Sequence, residues 1–146
     1  MGSTSIIGLH YSPRIIEDNH RLLIQRAGQG KETIIIASSP HGAALNFLKR
    51  VREETDHVDG NVKKIVSLIR EINKPPAKRP VRLLHHNEVL RYSFVLTDEQ
   101  VWIKLYRNSR GLSNVPAFAV TAGTSLFDFF KADIERLIES AANGTN

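Results

Sequence analysis

Three residues on one short stretch have side-chain types that could do chemistry. In LRYSFVLTD, residues 90–98, Arg91, Ser93 and Asp98 put a cation, a hydroxyl and a carboxylate on a strand that runs into a turn. Arginine makes paired, charge-assisted hydrogen bonds to phosphate oxygens. It cannot attack phosphorus, because its guanidinium stays protonated and has no free lone pair. The stretch therefore reads as anion binding, with no catalytic residue assigned. Lys104, on the next apolar run, supplies a second cation. Ser38 and His41 lie in SSPHG, directly after the apolar run TIIIAS at 33–38. Ligands in α/β sheets sit beyond the carboxyl ends of strands, and backbone amides at a helix start hold anions. The expected ligand set is Arg91, Ser93, Lys104, Ser38 and His41.

Other chemistries find less support. GQGKET, residues 28–33, superficially matches a phosphate-binding loop, but Gln25 stands where that pattern needs its first glycine. The segment also follows a helical pattern and precedes a strand, so it reads as a helix C-terminal turn. His85 and His86 are neighbours and point to opposite sides of an extended chain. His10, His20, His41 and His57 fall on other segments, so no metal set and no cofactor is expected. The chain has no cysteine, which excludes disulfides, thiolate metal sites and a thiol nucleophile. Gly-x-Ser-x-Gly is absent.

The 146 residues carry a net charge of +5, which suits a phosphate-bearing or other anionic ligand and permits nucleic acid. KPPAKRP, with Lys78 and Arg79, and KLYRNSR, with Arg107, are the basic clusters that could follow a phosphate backbone or a membrane surface. Apolar runs are too short to cross a bilayer and the start lacks a secretory pattern, so a cytoplasmic protein without membrane contact is expected. MGSTS also has the composition of a cloning remnant.

The positioning elements follow from periodicity. Ile15, Ile16, Asn19, Leu22, Leu23 and Arg26 recur at helical spacing after Pro13. TIIIAS is a buried, parallel strand. Helices are expected over 43–54 and through Val62, Ile65, Val66, Ile69 and Ile72, ending at NKPPAKRP. VRLLH is a strand, LRYSFVL and VWIKLY form a hairpin across TDEQ, AFAV is a short strand, and a last helix presents Leu126, Phe127, Phe130, Ile134, Leu137 and Ile138. The order is helix, strand, helix, helix, strand, hairpin, strand, helix. That makes one α/β domain over 1–146 with a mixed sheet flanked by helices.

Arg91-x-Ser93, four residues, then Asp98 resembles the His-x-Lys, four residues, Asp motif of the phospholipase D superfamily, with FVLTDEQVWI similar to that family's strand, Asp turn and strand. GLHYSPRIIEDNHRLLIQRAGQGKETIIIASSP is similar to the opening of a small nuclease of the family: a short strand, a helix, then an apolar strand ending at a polar turn. VPAFAV and the aromatic last helix fall where such domains place a final strand and helix. In active members the histidine attacks phosphorus, the lysine neutralises its oxygens and the aspartate supports them. Here Arg91 and Ser93 replace the first two, and KLYRNSRG departs from the small residues expected after the second strand. The resemblance implies a half-module with one motif per chain that pairs as a homodimer, keeps a phosphate pocket and has lost catalysis, in a bacterial regulatory or defence protein. A divergent metal-independent phosphodiesterase or nuclease, with His85 or His86 as substitute nucleophile, is the enzyme alternative. A basic nucleic-acid- or membrane-surface-binding module is the third reading.

Overall fold

The computed structural model describes residues 4–52, 55–106 and 116–144. The loop carrying Arg107 falls within 107–115, outside the described residues.

The chain forms a six-stranded mixed sheet with helices on both faces. In order it runs β1 (Thr4–Gly8), α1 (Arg14–Asp18), α2 (His20–Gly28), β2 (Glu32–Ser38), α3 (Ala43–Arg52), α4 (Thr55–Asn73), β3 (Arg82–His86), β4 (Tyr92–Thr97), β5 (Gln100–Leu105), β6 (Ala117–Thr121) and α5 (Ser125–Gly144). The strand order is β3-β2-β1-β4-β5-β6. The first three strands are parallel, and β4, β5 and β6 continue antiparallel.

The layout expected from periodicity left out β1, although the family resemblance implied an opening strand. This strand lies in mid-sheet, pairing Ser5 with Thr33 on one side and Thr97 on the other. Ser5 is fully buried, so MGSTS is in part a structural segment. The first helix is also two, broken at Asn19, whose side-chain amide donates to the Ile15 carbonyl at 2.8 Å.

Alternation along the strands divides the core in two. One face carries Ile7, Ile35 and Ala37 against Ile16 of α1, Leu23 and Ala27 of α2, and Ile65, Ile69 and Ile72 of α4. The other carries Ile36, Leu84, Phe94, Leu96, Val101 and Ile103 against Phe127, Phe130 and Ile134 of α5. β2 is buried from Thr33 to Ser38 because helices cover both its faces. α3 reaches the body through α4, where Leu45 and Leu48 meet Tyr11, Val58 and Val62.

Two polar devices fix the connections. Asn73, at the end of α4, donates to the Val81 carbonyl at 2.9 Å and accepts from the Val81 amide at 2.8 Å, closing the NKPPAKRP loop. Arg26 is 2% exposed, and its guanidinium donates to the Thr33 hydroxyl at 3.0 Å and the Glu32 carbonyl at 2.7 Å.

Candidate functional site

The parallel strands end at Gly8, Ser38 and His86, and the antiparallel hairpin returns to the same edge. Arg91 at the start of β4 therefore lies beside Tyr106 at the end of β5, whose amide donates to the Arg91 carbonyl at 2.9 Å.

Two buried histidines build this edge. His86 is 2% exposed and lies opposite Ser38 in the β2–β3 ladder. Its Nε2 lies 2.9 Å from the Leu9 carbonyl oxygen, which can only accept, so Nε2 carries the proton. Its Nδ1 accepts from the Glu88 amide at 3.2 Å. Burial is the main cause that lowers its pKa below the usual histidine value, against the opposing pull of the Leu9 carbonyl and the Glu88 charge. His10 is 3% exposed, and its Nε2 accepts the Leu90 amide at 2.7 Å. Its ring stacks on Tyr106 at 4.5 Å and 19°, and meets the His86 ring at 5.9 Å. His86 Nδ1 and His10 Nε2 both spend their lone pairs on backbone amides, so those nitrogens are not poised to attack phosphorus. His85 faces the other side of β3, half-buried, with Nδ1 making no hydrogen bond.

The residues expected to share a ligand are distributed over this edge. Arg91 is exposed, and no carboxylate lies within ion-pair distance of it among the described residues. It lines a cleft of about 330 Å³ between the β3–β4 connection and α5, together with Tyr92, Asp133, Arg136 and Ser140. The Tyr92 hydroxyl donates to the Asp133 carboxylate, and its ring meets Phe130 edge-on at 5.2 Å. Burial first, and Asp133 second, push the Tyr92 pKa upward, so the phenol stays protonated as a donor.

Ser93 and Lys104 are register partners. Phe94 and Ile103 face the α5 core, so Ser93 and Lys104 face the opposite side of the sheet. Ser38 is 1% exposed, with an unpaired hydroxyl beneath the surface. His41 is exposed and lines a different groove, between α3 and α4. The helix start after SSPHG, expected as an open anion site, is capped. The Asn87 side-chain oxygen accepts the Ala44 amide at 3.1 Å, and a Cβ at Gly42 would lie 2.4 Å from that oxygen.

Asp98 lies at the other end of the hairpin, in the β4–β5 turn built by Thr97, whose hydroxyl accepts the Gln100 amide at 3.2 Å. Its charge acts on Arg26, offsetting in part the burial that lowers the arginine's pKa. Sequence reasoning had not singled out His10, Arg26, Asp133 or Arg136. The signal for His10 was its place after the apolar run IIGL; that for Arg26, a cation on an apolar helical stripe.

Among the described residues no group of three or more metal-ligating side chains occurs, and no helix is long and apolar enough to cross a membrane. No family model, curated protein or solved structure matches the chain.

Proposed function

We propose that the chain is a phospholipase D-like half-module that no longer catalyses and instead binds a phosphate-bearing or other anionic ligand, working as a homodimer in a cytoplasmic regulatory or defence protein. The observation that carries the reading is the cleft at the carboxyl edge. Arg91 and Arg136 both line it, and neither has a carboxylate within ion-pair distance among the described residues. Ser140 adds a hydroxyl on the same wall, while the Tyr92 phenol is committed to the Asp133 carboxylate. Two guanidinium groups suit a phosphate or carboxylate, and Asp133 and Glu88 on the same lining are the negative charges they have to outweigh.

The loss of catalysis is supported by the same edge. Arg91 has no lone pair to give, and the hydrogen bonds made by His10 and His86 occupy the lone pairs a phosphoryl intermediate would need. The family reading rests on the resemblance of the element order, with Asp98 in the hairpin turn, and of the Arg91, Ser93 and Asp98 spacing in the sequence. A basic nucleic-acid surface has less support, since Arg79 is held by Glu32 at 2.5 Å.

Calorimetric titration with inorganic phosphate tests the reading. Arg91→Ala and Arg136→Ala should each weaken binding about tenfold, the loss of one charge-assisted pair. Phosphate binding that neither change affects would remove the cleft from consideration. Metal-independent hydrolysis of bis-nitrophenyl phosphate that disappears in His85→Ala would establish the enzyme alternative.

A further inference from the structure

A second groove lies on the other side of the molecule, between α3 and α4. Its volume is about 710 Å³, within the range of small-ligand pockets. On α4 its wall is one helical stripe, Asp59, Lys63, Ser67 and Arg70, at spacings of four, four and three residues. Lys49 faces the stripe from α3, and His41 stands at the end nearest the sheet edge.

The charges on this groove are unevenly committed. Among the described residues Asp59 is its one carboxylate, and that group is held by Lys49 at 2.5 Å. The pair joins α3 to α4 and leaves little negative charge for the rest of the wall. Lys63 and Arg70 are exposed and have no ion-pair partner among the described residues. The remaining charged side chains of α4 that form pairs do so elsewhere: Lys64 with Glu17 at 3.1 Å and Glu71 with His20 at 3.6 Å. Among the described residues, Lys63 and Arg70 are thus the uncommitted cations of the groove wall.

We propose that this groove is a binding site for a compact ligand with two or more linked phosphates. Lys63 and Arg70 are seven residues apart, about 10.5 Å along the helix, with the Ser67 hydroxyl between them. Linked phosphates offer more oxygens to the two cations and the intervening donor than a single phosphate does, which favours an oligophosphate. Single-stranded nucleic acid is the less suited anion, because among the described residues no aromatic ring apart from the His41 imidazole lines the groove to stack bases. The site is independent of the Arg91 cleft, which lies against α5 on the opposite face of the sheet.

The test is calorimetry of the full chain at low ionic strength with inorganic pyrophosphate, orthophosphate and a single-stranded oligonucleotide. Pyrophosphate should bind at least about tenfold tighter than orthophosphate, and Lys63→Gln with Arg70→Gln should weaken it at least about tenfold. Both side chains are exposed, so the double variant should keep its fold, checked by its unfolding midpoint. All three titrations are run in an Arg91→Ala, Arg136→Ala background, which removes the anion binding proposed for the cleft, so that the outcomes report the groove alone. Absence of pyrophosphate binding at millimolar concentration, equal affinity for orthophosphate, or binding that survives Lys63→Gln with Arg70→Gln would overturn the proposal. So would an oligonucleotide that binds tighter than pyrophosphate and is lost in the same variant, which would make the groove a nucleic-acid surface.

Discussion

Gly8→Ala tests how the carboxyl edge is built. Gly8 ends β1 and lies opposite Phe94 in the antiparallel β1–β4 ladder. A Cβ added there would lie 2.1 Å from Phe94 Cε1 and 2.2 Å from Cζ. Ordinary carbon contacts need about 3.5–4.0 Å, so the ring must retreat by roughly 1.5 Å. Phe94 is 3% exposed among Ile34, Ile36, Leu96 and Ile103, so that retreat disturbs their packing and pushes the ring toward the cleft it also lines. Overpacking of this kind costs about 1–3 kcal/mol, and expelling the ring altogether would cost about 3–5 kcal/mol. The expected loss is therefore about 2–4 kcal/mol, a large part of the roughly 5–15 kcal/mol a domain has in total. Urea unfolding of wild type, Gly8→Ala, Phe94→Ala and the double variant measures it. With the ring gone, the added methyl has room, so Gly8→Ala should cost less than about 0.5 kcal/mol in the Phe94→Ala background. Additive losses in the four-variant cycle would refute the argument that Gly8 exists to make room for Phe94.

Two further outcomes follow from the same structure. His86 has a folded pKa below its unfolded value of about 6.5, so above that pH both states are neutral and it contributes no slope. As pH falls through about 6.5 the unfolded chain takes up the proton first, and stability should fall by at most about 1.36 kcal/mol per pH unit until the folded pKa is reached. A histidine resonance of His86 that titrates at or above 6.5 in the folded protein would contradict this. Asp98→Ala should cost about 1 kcal/mol, because the exposed carboxylate's field on buried Arg26 is screened by solvent, and it should leave phosphate affinity at the Arg91 cleft unchanged. A loss of phosphate binding comparable to that of Arg91→Ala would return Asp98 to the site.

Much of the fold was legible because its segments carry clean periods. TIIIAS is apolar on both faces and is a strand covered on both faces, and the α4 and α5 stripes match their buried sides. β1 was hidden from the periodic reading because SIIG is short and its first residue is a serine. Its burial comes from strands that follow it by about 28 and 90 positions in the chain, and no local pattern reports that. The break between α1 and α2 was hidden for a related reason: Asn19 fits the helical spacing, and only its bond to the Ile15 carbonyl marks the turn. The site was legible only in part. Arg91 stood out by type, but Arg136 and Asp133 read as an ordinary solvated helix face until α5 was laid across the edge. His10 and His86 are far apart in sequence and meet because β1 and β3 flank β2.

The motif that first drew notice joins residues with different tasks. Arg91 lines the cleft on the α5 side, Ser93 faces the other side of the sheet beside Lys104, and Asp98 stands at the opposite end of the hairpin near Arg26. A strand of this length cannot bring its two ends to one small ligand, since each residue adds about 3.3 Å. Asp98 therefore acts through the hairpin and α2, while any anion held at the edge must be met by Arg91 and by groups from other elements. Arg136 is such a group, and α5 carries it there only because Phe130 and Ile134 pack on the sheet below. If the cleft binds an anion as proposed, the aromatic helix is the element that binding depends on, and a change that loosens α5 should weaken it without touching either arginine.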